Sequence, residues 1–131
     1  MVQIIDASAL IHFFQKQYGY EKVKLLFDQA SQHDRKILMS SVNWGEVYGF
    51  TLKILGQAAL QGLLTAMEAL PIEIVPADGL LAQEAGHYKA DRGLPYADAF
   101  AAALTKQHNG QLITSDKDFK AVEGDIHIFW V

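Results

Sequence analysis

Short, almost wholly apolar runs alternate with helical stripes along the whole of this 131-residue chain, and few folds accept that arrangement. Val2-Gln3-Ile4-Ile5 reads as a buried strand ending at Asp6. Lys36–Ser40, Ile72–Val75, Leu112–Thr114 and Ile126–Phe129 are of the same kind. A helix from about Ser8 turns Leu10, Phe13 and Phe14 inward, and a second near 20–32 sets Val23, Leu26, Phe27 and Ala30 at i, i+3, i+4, i+7. Ser41 or Asn43 caps the next, whose stripe is Trp44, Val47, Tyr48, Leu52 and Leu55 and which stops at Gly56. Leu60, Leu63, Leu64 and Met67 mark a fourth helix. A fifth over 79–92 places Leu81, Ala85 and Tyr88 inside and ends at Gly93. Pro95 opens an alanine-rich helix to about His108, and a helical turn near 117–121 precedes the last strand. Strands this apolar, linked by helices, predict an α/β fold with a mainly parallel sheet of about five strands covered on both faces. With no repeat, linker or low-complexity tract, one domain over 1–131 is expected.

Open sheets of this type place their chemistry beyond the carboxyl ends of the strands, where the strand order reverses. Asp6 and Asp116 occupy two such ends, and they flank the reversal if the first and fourth strands are neighbours. Glu46 and Asp98 fall in the opening turns of helices. Carboxylates gathered in one place repel unless something positive lies between them, and the usual agent is a hard, oxygen-seeking ion such as Mg2+ or Mn2+. Metal-dependent phosphodiester chemistry is therefore the first activity to consider.

Each acid also has a plainer explanation. Asp6 suits the N-cap of the following helix, unless Ser8 takes that place and frees it. Glu46 shares a helical face with Val42, Gly45 and Gly49; small residues there let the helix approach the sheet and carry Glu46 inward. A solvated glutamate is the alternative. Asp98 lies in a helix otherwise made of Ala97, Ala99, Phe100, Ala101, Ala102, Ala103 and Leu104, so a buried carboxylate there requires a cation or donors. Thr114-Ser115-Asp116-Lys117-Asp118-Phe119 packs two acids and two hydroxyls at one strand exit, where Asp116 also suits a cap and Phe119 an anchor. Joint placement, rather than any one acid, carries the functional reading.

Composition narrows the alternatives. With 11 Lys+Arg against 15 Asp+Glu, the net charge of −4 excludes a non-specific nucleic-acid coat, whereas two divalent ions would bring the total to about zero. The chain has no cysteine, which removes disulfides, thiolate zinc sites and cysteine nucleophiles. His12, His33, His87, His108 and His127 lack zinc-site spacing, and no P-loop, GxGxxG or GxSxG motif occurs. With no visible secretory signal or bilayer-length apolar run, a soluble cytoplasmic protein without membrane association is expected.

Four segments together resemble the PIN-domain ribonucleases, and within them the VapC-type toxins of prokaryotic toxin–antitoxin pairs. These are Ile5-Asp6-Ala7-Ser8-Ala9-Leu10, Ser41-Val42-Asn43-Trp44-Gly45-Glu46-Val47, Leu94-Pro95-Tyr96-Ala97-Asp98-Ala99 and Leu112-Ile113-Thr114-Ser115-Asp116-Lys117-Asp118-Phe119. The resemblance spans essentially the whole chain and implies a three-layer α/β/α sandwich. It implies that Asp6, Glu46, Asp98 and Asp116 hold one or two Mg2+ or Mn2+ ions with Asp118 assisting, and that Ser8 and Thr114 line the site. It further implies a homodimer, an RNA substrate and a cognate antitoxin whose C-terminal segment blocks the site.

On this reading Asp6 and Asp116 are the primary ligands, Asp98 binds directly or through water, and Glu46 holds a metal-bound water and accepts its proton. Ser115 joins the site lining. Among Lys89, Arg92, Lys117 and Lys120, Arg92 is the best placed to grip an RNA backbone, because it directly precedes Gly93-Leu94-Pro95 and the Asp98 helix. Two other readings stay open: an aspartyl-phosphate phosphatase with Asp6 as nucleophile, and a catalytically idle domain that binds a partner through aromatics such as Phe13, Phe14, Trp44, Tyr48 and Phe50.

Overall fold

A computed structural model describes residues 1–131. Its five strands are β1 (Gln3–Ile5), β2 (Ile37–Ser40), β3 (Ile72–Val75), β4 (Gln111–Thr114) and β5 (His127–Trp130). They form one wholly parallel sheet in the order β3-β2-β1-β4-β5. Helices α1 (Ala7–Phe14) and α2 (Tyr20–Gln32) link β1 to β2. Helix α3 (Ser41–Phe50), a π-helical turn over Thr51–Leu55 and α4 (Gln57–Ala69) link β2 to β3. Helices α5 (Gly79–Arg92) and α6 (Tyr96–Gln107) carry the chain across to β4, and a 3-10 helix over Lys117–Val122 leads to β5. The expected three layers follow from strand alternation. Ile5 and Ile113 join a core with Leu10, Phe27, Met39, Val47 and Leu60 on one face, while Ile4 and Leu112 join Leu81, Phe100, Leu104 and Phe119 on the other.

The order reverses between β1 and β4, whose carboxyl ends deliver Asp6 and the Thr114–Asp116 segment side by side. Registration of Ile5 on Ile113, with the Asp6 N–H donating to the Ile113 carbonyl at 3.2 Å, sets their relative height. Two close packings sharpen this placement. A Cβ on Gly110 would lie 2.5 Å from the Val2 carbonyl oxygen, so only glycine lets the α6–β4 turn enter beside β1. Ala99, Ala101, Ala102 and Ala103 are all 0 % exposed, and their small side chains bring α6 against the sheet.

Local details depart from the sequence expectations in α3. Ser40, not Ser41 or Asn43, caps it, its hydroxyl accepting from the Val42 N–H at 3.2 Å. The buried side of the segment is Asn43, Val47 and Thr51, whereas Tyr48, Leu52 and Leu55 of the expected stripe are exposed. For Leu52 and Leu55 the cause is a change of helical period: the Thr51 hydroxyl donates to the Val47 carbonyl at 2.8 Å, and the chain continues as a π-turn. A stripe counted at 3.6 residues per turn loses register there.

Candidate metal centre

Asp6 sits at the bottom of the centre. It is 2 % exposed and caps α1 itself, Oδ1 accepting from the Ala9 N–H at 2.9 Å; Ser8 is not the cap. Ser8 instead serves the aspartate, its hydroxyl lying 2.8 Å from Oδ1 and 2.9 Å from Oδ2, while the Thr114 hydroxyl donates to Oδ2 at 2.5 Å. Burial pushes the Asp6 carboxyl up to about 6 from its ordinary 3.8, against the pull of these donors, and the nearby charge of Asp116 adds to the rise.

Above it, the exit from β4 folds back on itself. Thr114 Oγ1 accepts from the Asp116 N–H at 3.0 Å, and Asp116 Oδ1 accepts from the Asp118 N–H at 2.9 Å, capping the 3-10 helix that Phe119 anchors. This turn faces the half-buried Asp98 in the first turn of α6. One carboxylate oxygen from each of Asp98, Asp116 and Asp118 lies within 4.8 Å of the others. An octahedral ion with oxygens at about 2.1 Å spaces its ligands at about 3 to 4 Å, so this group fits a small hard cation after slight closure. Asp98 bears the strain: burial first, then Asp116, Asp6 and Glu46, push it up to about 8. None of the ion pairs in the molecule offers these acids a side-chain cation.

Glu46 reaches the same centre from outside. The expected burial of its face does not occur: Gly45, Glu46 and Gly49 are exposed, and a Cβ at either glycine would meet nothing within 4 Å. What brings Glu46 toward Asp98 is Asn43, which the sequence reading did not single out as a site residue. Asn43 is 0 % exposed, and its Nδ2 donates to Glu46 Oε1 at 3.2 Å and to the Ala97 carbonyl at 3.0 Å. It thus ties α3 to the opening of α6 beside Asp98, while its Oδ1 stays buried without a partner. The available signal was an asparagine at i−3 to a candidate glutamate on a helix.

Ser115 lines the rim, with its N–H donating to Ser8 Oγ at 3.2 Å and its hydroxyl 3.1 Å from His12 Nδ1. Arg92 does not join the acids. Its Nη1 donates to the Ala121 carbonyl at 3.3 Å, and it borders a shallow cleft with Tyr88 and Asp125. The cause is α5, whose last turn faces the far end of the 3-10 helix.

Comparison with known proteins agrees with this fold. The family profile of the PIN domain matches residues 4–125. VapBC2 of Rickettsia felis, solved bound to a promoter DNA fragment, superposes with a TM-score of 0.77 at 16% identity, covering 100% of this chain and 99% of that one. A toxin–antitoxin complex from Klebsiella pneumoniae gives 0.74 at 20% identity, covering 97% and 95%. VapC20 of Mycobacterium tuberculosis, described as a sarcin-ricin loop cleaving toxin, gives 0.73 at 15% identity, covering 92% and 94%. At such identities the likeness is one of fold. No curated protein matches the sequence.

Proposed function

The chain belongs to the PIN-domain family, and from that premise we propose that it is a metal-dependent endoribonuclease acting as the toxin of a toxin–antitoxin pair. The observation that carries this reading is the convergence of Asp98, Asp116 and Asp118 within 4.8 Å above the buried Asp6, with no side-chain cation to neutralise them. Asp98, Asp116 and Asp118 would hold Mg2+ or Mn2+. When bound, that ion would supply an activated water and charge stabilisation at the scissile phosphate. Asp6 raises the negative potential from beneath and would bind an ion by exchanging a hydroxyl partner.

Glu46, held by Asn43 and exposed to solvent, would accept a proton from water at the centre. Ser8 and Thr114 keep Asp6 oriented, and Ser115 presents its hydroxyl at the rim. The structurally similar VapBC proteins support a cognate antitoxin as partner; a homodimer belongs to the same proposal, as what the family resemblance implies. The phosphatase reading is disfavoured by the burial of Asp6: attack on phosphorus needs an oxygen that the substrate can reach in line, and Asp6 is 2 % exposed.

Purified protein incubated with total RNA tests this function. Mn2+ should produce discrete cleavage that a chelator stops and that Asp98→Asn lowers by at least about a hundredfold. Undiminished cleavage by a folded Asp98→Asn protein, or in chelator, would refute it.

A further inference from the structure

A sizeable concavity lies not at the acids but beside them. It encloses ≈ 420 Å³ and is lined by Lys16, Gln17, Tyr18, Gly19, Tyr20, Glu21 and Lys22, which form the α1–α2 connection and the first turn of α2. Two contacts fix that connection to the rim of the metal centre. At its start, His12 in the last turn of α1 meets the Ser115 hydroxyl at 3.1 Å, next to Asp116 in the chain. At its end, Gly19 adopts φ 88 and lies so close to the residue after β5 that a Cβ would fall 2.5 Å from the Val131 carbonyl carbon. The Val131 N–H in turn donates at 3.0 Å to the carbonyl of Thr114, the residue that bonds Asp6. The cleft therefore opens along the same carboxyl edge of the sheet as the acids.

Its chemistry differs from theirs. Tyr18 projects with 82 % exposure, an arrangement that gains nothing from core packing and offers a bare ring face. Lys16 and Lys22 are exposed and belong to none of the ion pairs, so both ammonium groups are available; Glu21 is the one acid of the lining. His12, half-buried, has its Nε2 left over from the Ser115 contact. A ring for stacking between two free cations, on a connection whose His12 touches the residue before Asp116, matches how single strands are held: phosphates on cations, an unstacked base on an aromatic face. A partner helix would want a row of aliphatic anchors, whereas this lining has none: its apolar surface comes from two tyrosines and the stems of charged and polar side chains.

Resting on the nuclease reading above, we propose that the His12–Lys22 segment is a subsite for single-stranded RNA flanking the scissile bond. Tyr18 stacks a base, and Lys16, Lys22 and His12 contact adjoining phosphates. The subsite selects unpaired segments, because a base inside a duplex cannot reach the ring.

Binding measured in chelator separates this subsite from the chemistry. The probe is a fluorescent single-stranded RNA of mixed sequence about twelve nucleotides long, compared with its duplex. Tyr18→Ala should weaken single-strand binding about tenfold and Tyr18→Phe should restore it. Lys16→Gln and Lys22→Gln should each lower the log–log salt slope by about 0.7. The duplex should bind at least about tenfold more weakly than the single strand, and Mn2+ binding should be unchanged in every variant. Equal affinity in Tyr18→Ala and in the double lysine variant, or equal binding of duplex, would overturn the subsite. Loss of a co-purifying protein partner from Tyr18→Ala with RNA affinity intact would assign the surface to that partner instead. Failure of wild-type protein to cleave RNA with Mn2+, while these binding differences hold, would overturn the nuclease reading and leave the subsite standing.

Discussion

Asn43 shows what a single side chain can do for this centre at a cost to the fold. A buried amide with one oxygen unmet is worse for stability than a well-packed apolar group, since the orphaned acceptor loses about 1–3 kcal/mol of hydration. Its two donated bonds, to Glu46 and to the Ala97 carbonyl, hold two acid-bearing helices in fixed relation. Asn43→Leu should therefore leave the unfolding free energy within about 1 kcal/mol of wild type. RNA cleavage and Mn2+ affinity should each fall about tenfold or more, as when outer partners of metal ligands are removed. Thermal unfolding read beside calorimetry separates the two effects; a large drop in stability with unaltered metal affinity would make Asn43 a structural residue only.

Among the elements, α6 is the one whose composition and position explain each other. Seven consecutive residues from Ala99 to Thr105 are buried, so the helix packs on nearly every side and only alanines fit where it meets α5 and the sheet. Ala102→Leu should overpack this contact and destabilise the protein by about 1–3 kcal/mol, read as a lower urea midpoint. No change in the midpoint would mean that α6 has free space the packing does not show. The same helix illustrates what is legible in sequence. Its alanines announced burial, which made Asp98 conspicuous, and the strand-end positions of Asp6 and Asp116 were readable from apolar runs alone. The inward face expected for Glu46 is not there: the small-residue face of Gly45 and Gly49 points to solvent, and what holds Glu46 is a side-chain hydrogen bond from Asn43. Periodicity cannot register a π-turn, so the stripe through Leu52 and Leu55 failed where Thr51 changed the pitch. Arg92 bonds the Ala121 carbonyl rather than meeting the acids, because adjacency to a motif in sequence says little about which way the last turn of a helix faces.

For the molecule as a whole, clustered acids make stability depend on pH in an unusual direction. Asp6 and Asp98 are raised to about 6 and about 8 in the fold, above an ordinary 3.8. Between those limits the metal-free native state binds more protons than the unfolded chain, so its stability falls as pH rises. Buried Asp6 alone should cost on the order of 2 kcal/mol by pH 7 relative to pH 4. Denaturant midpoints taken at intervals from pH 4 to pH 8 in chelator should decline accordingly. Mn2+ should offset most of the decline at the upper end, because it neutralises the same carboxylates. Midpoints that climb steadily across this range without metal would show that the acids are not under mutual repulsion.

Titration of the purified protein with Mn2+ by calorimetry at neutral pH addresses the converging carboxylates most directly, beside Asp116→Asn as the altered centre. Saturable binding of one or two ions per chain, weakened at least about tenfold by Asp116→Asn while the variant stays folded, is the expected outcome. Absence of binding, or identical isotherms for both proteins, would show that Asp98, Asp116 and Asp118 do not share a cation.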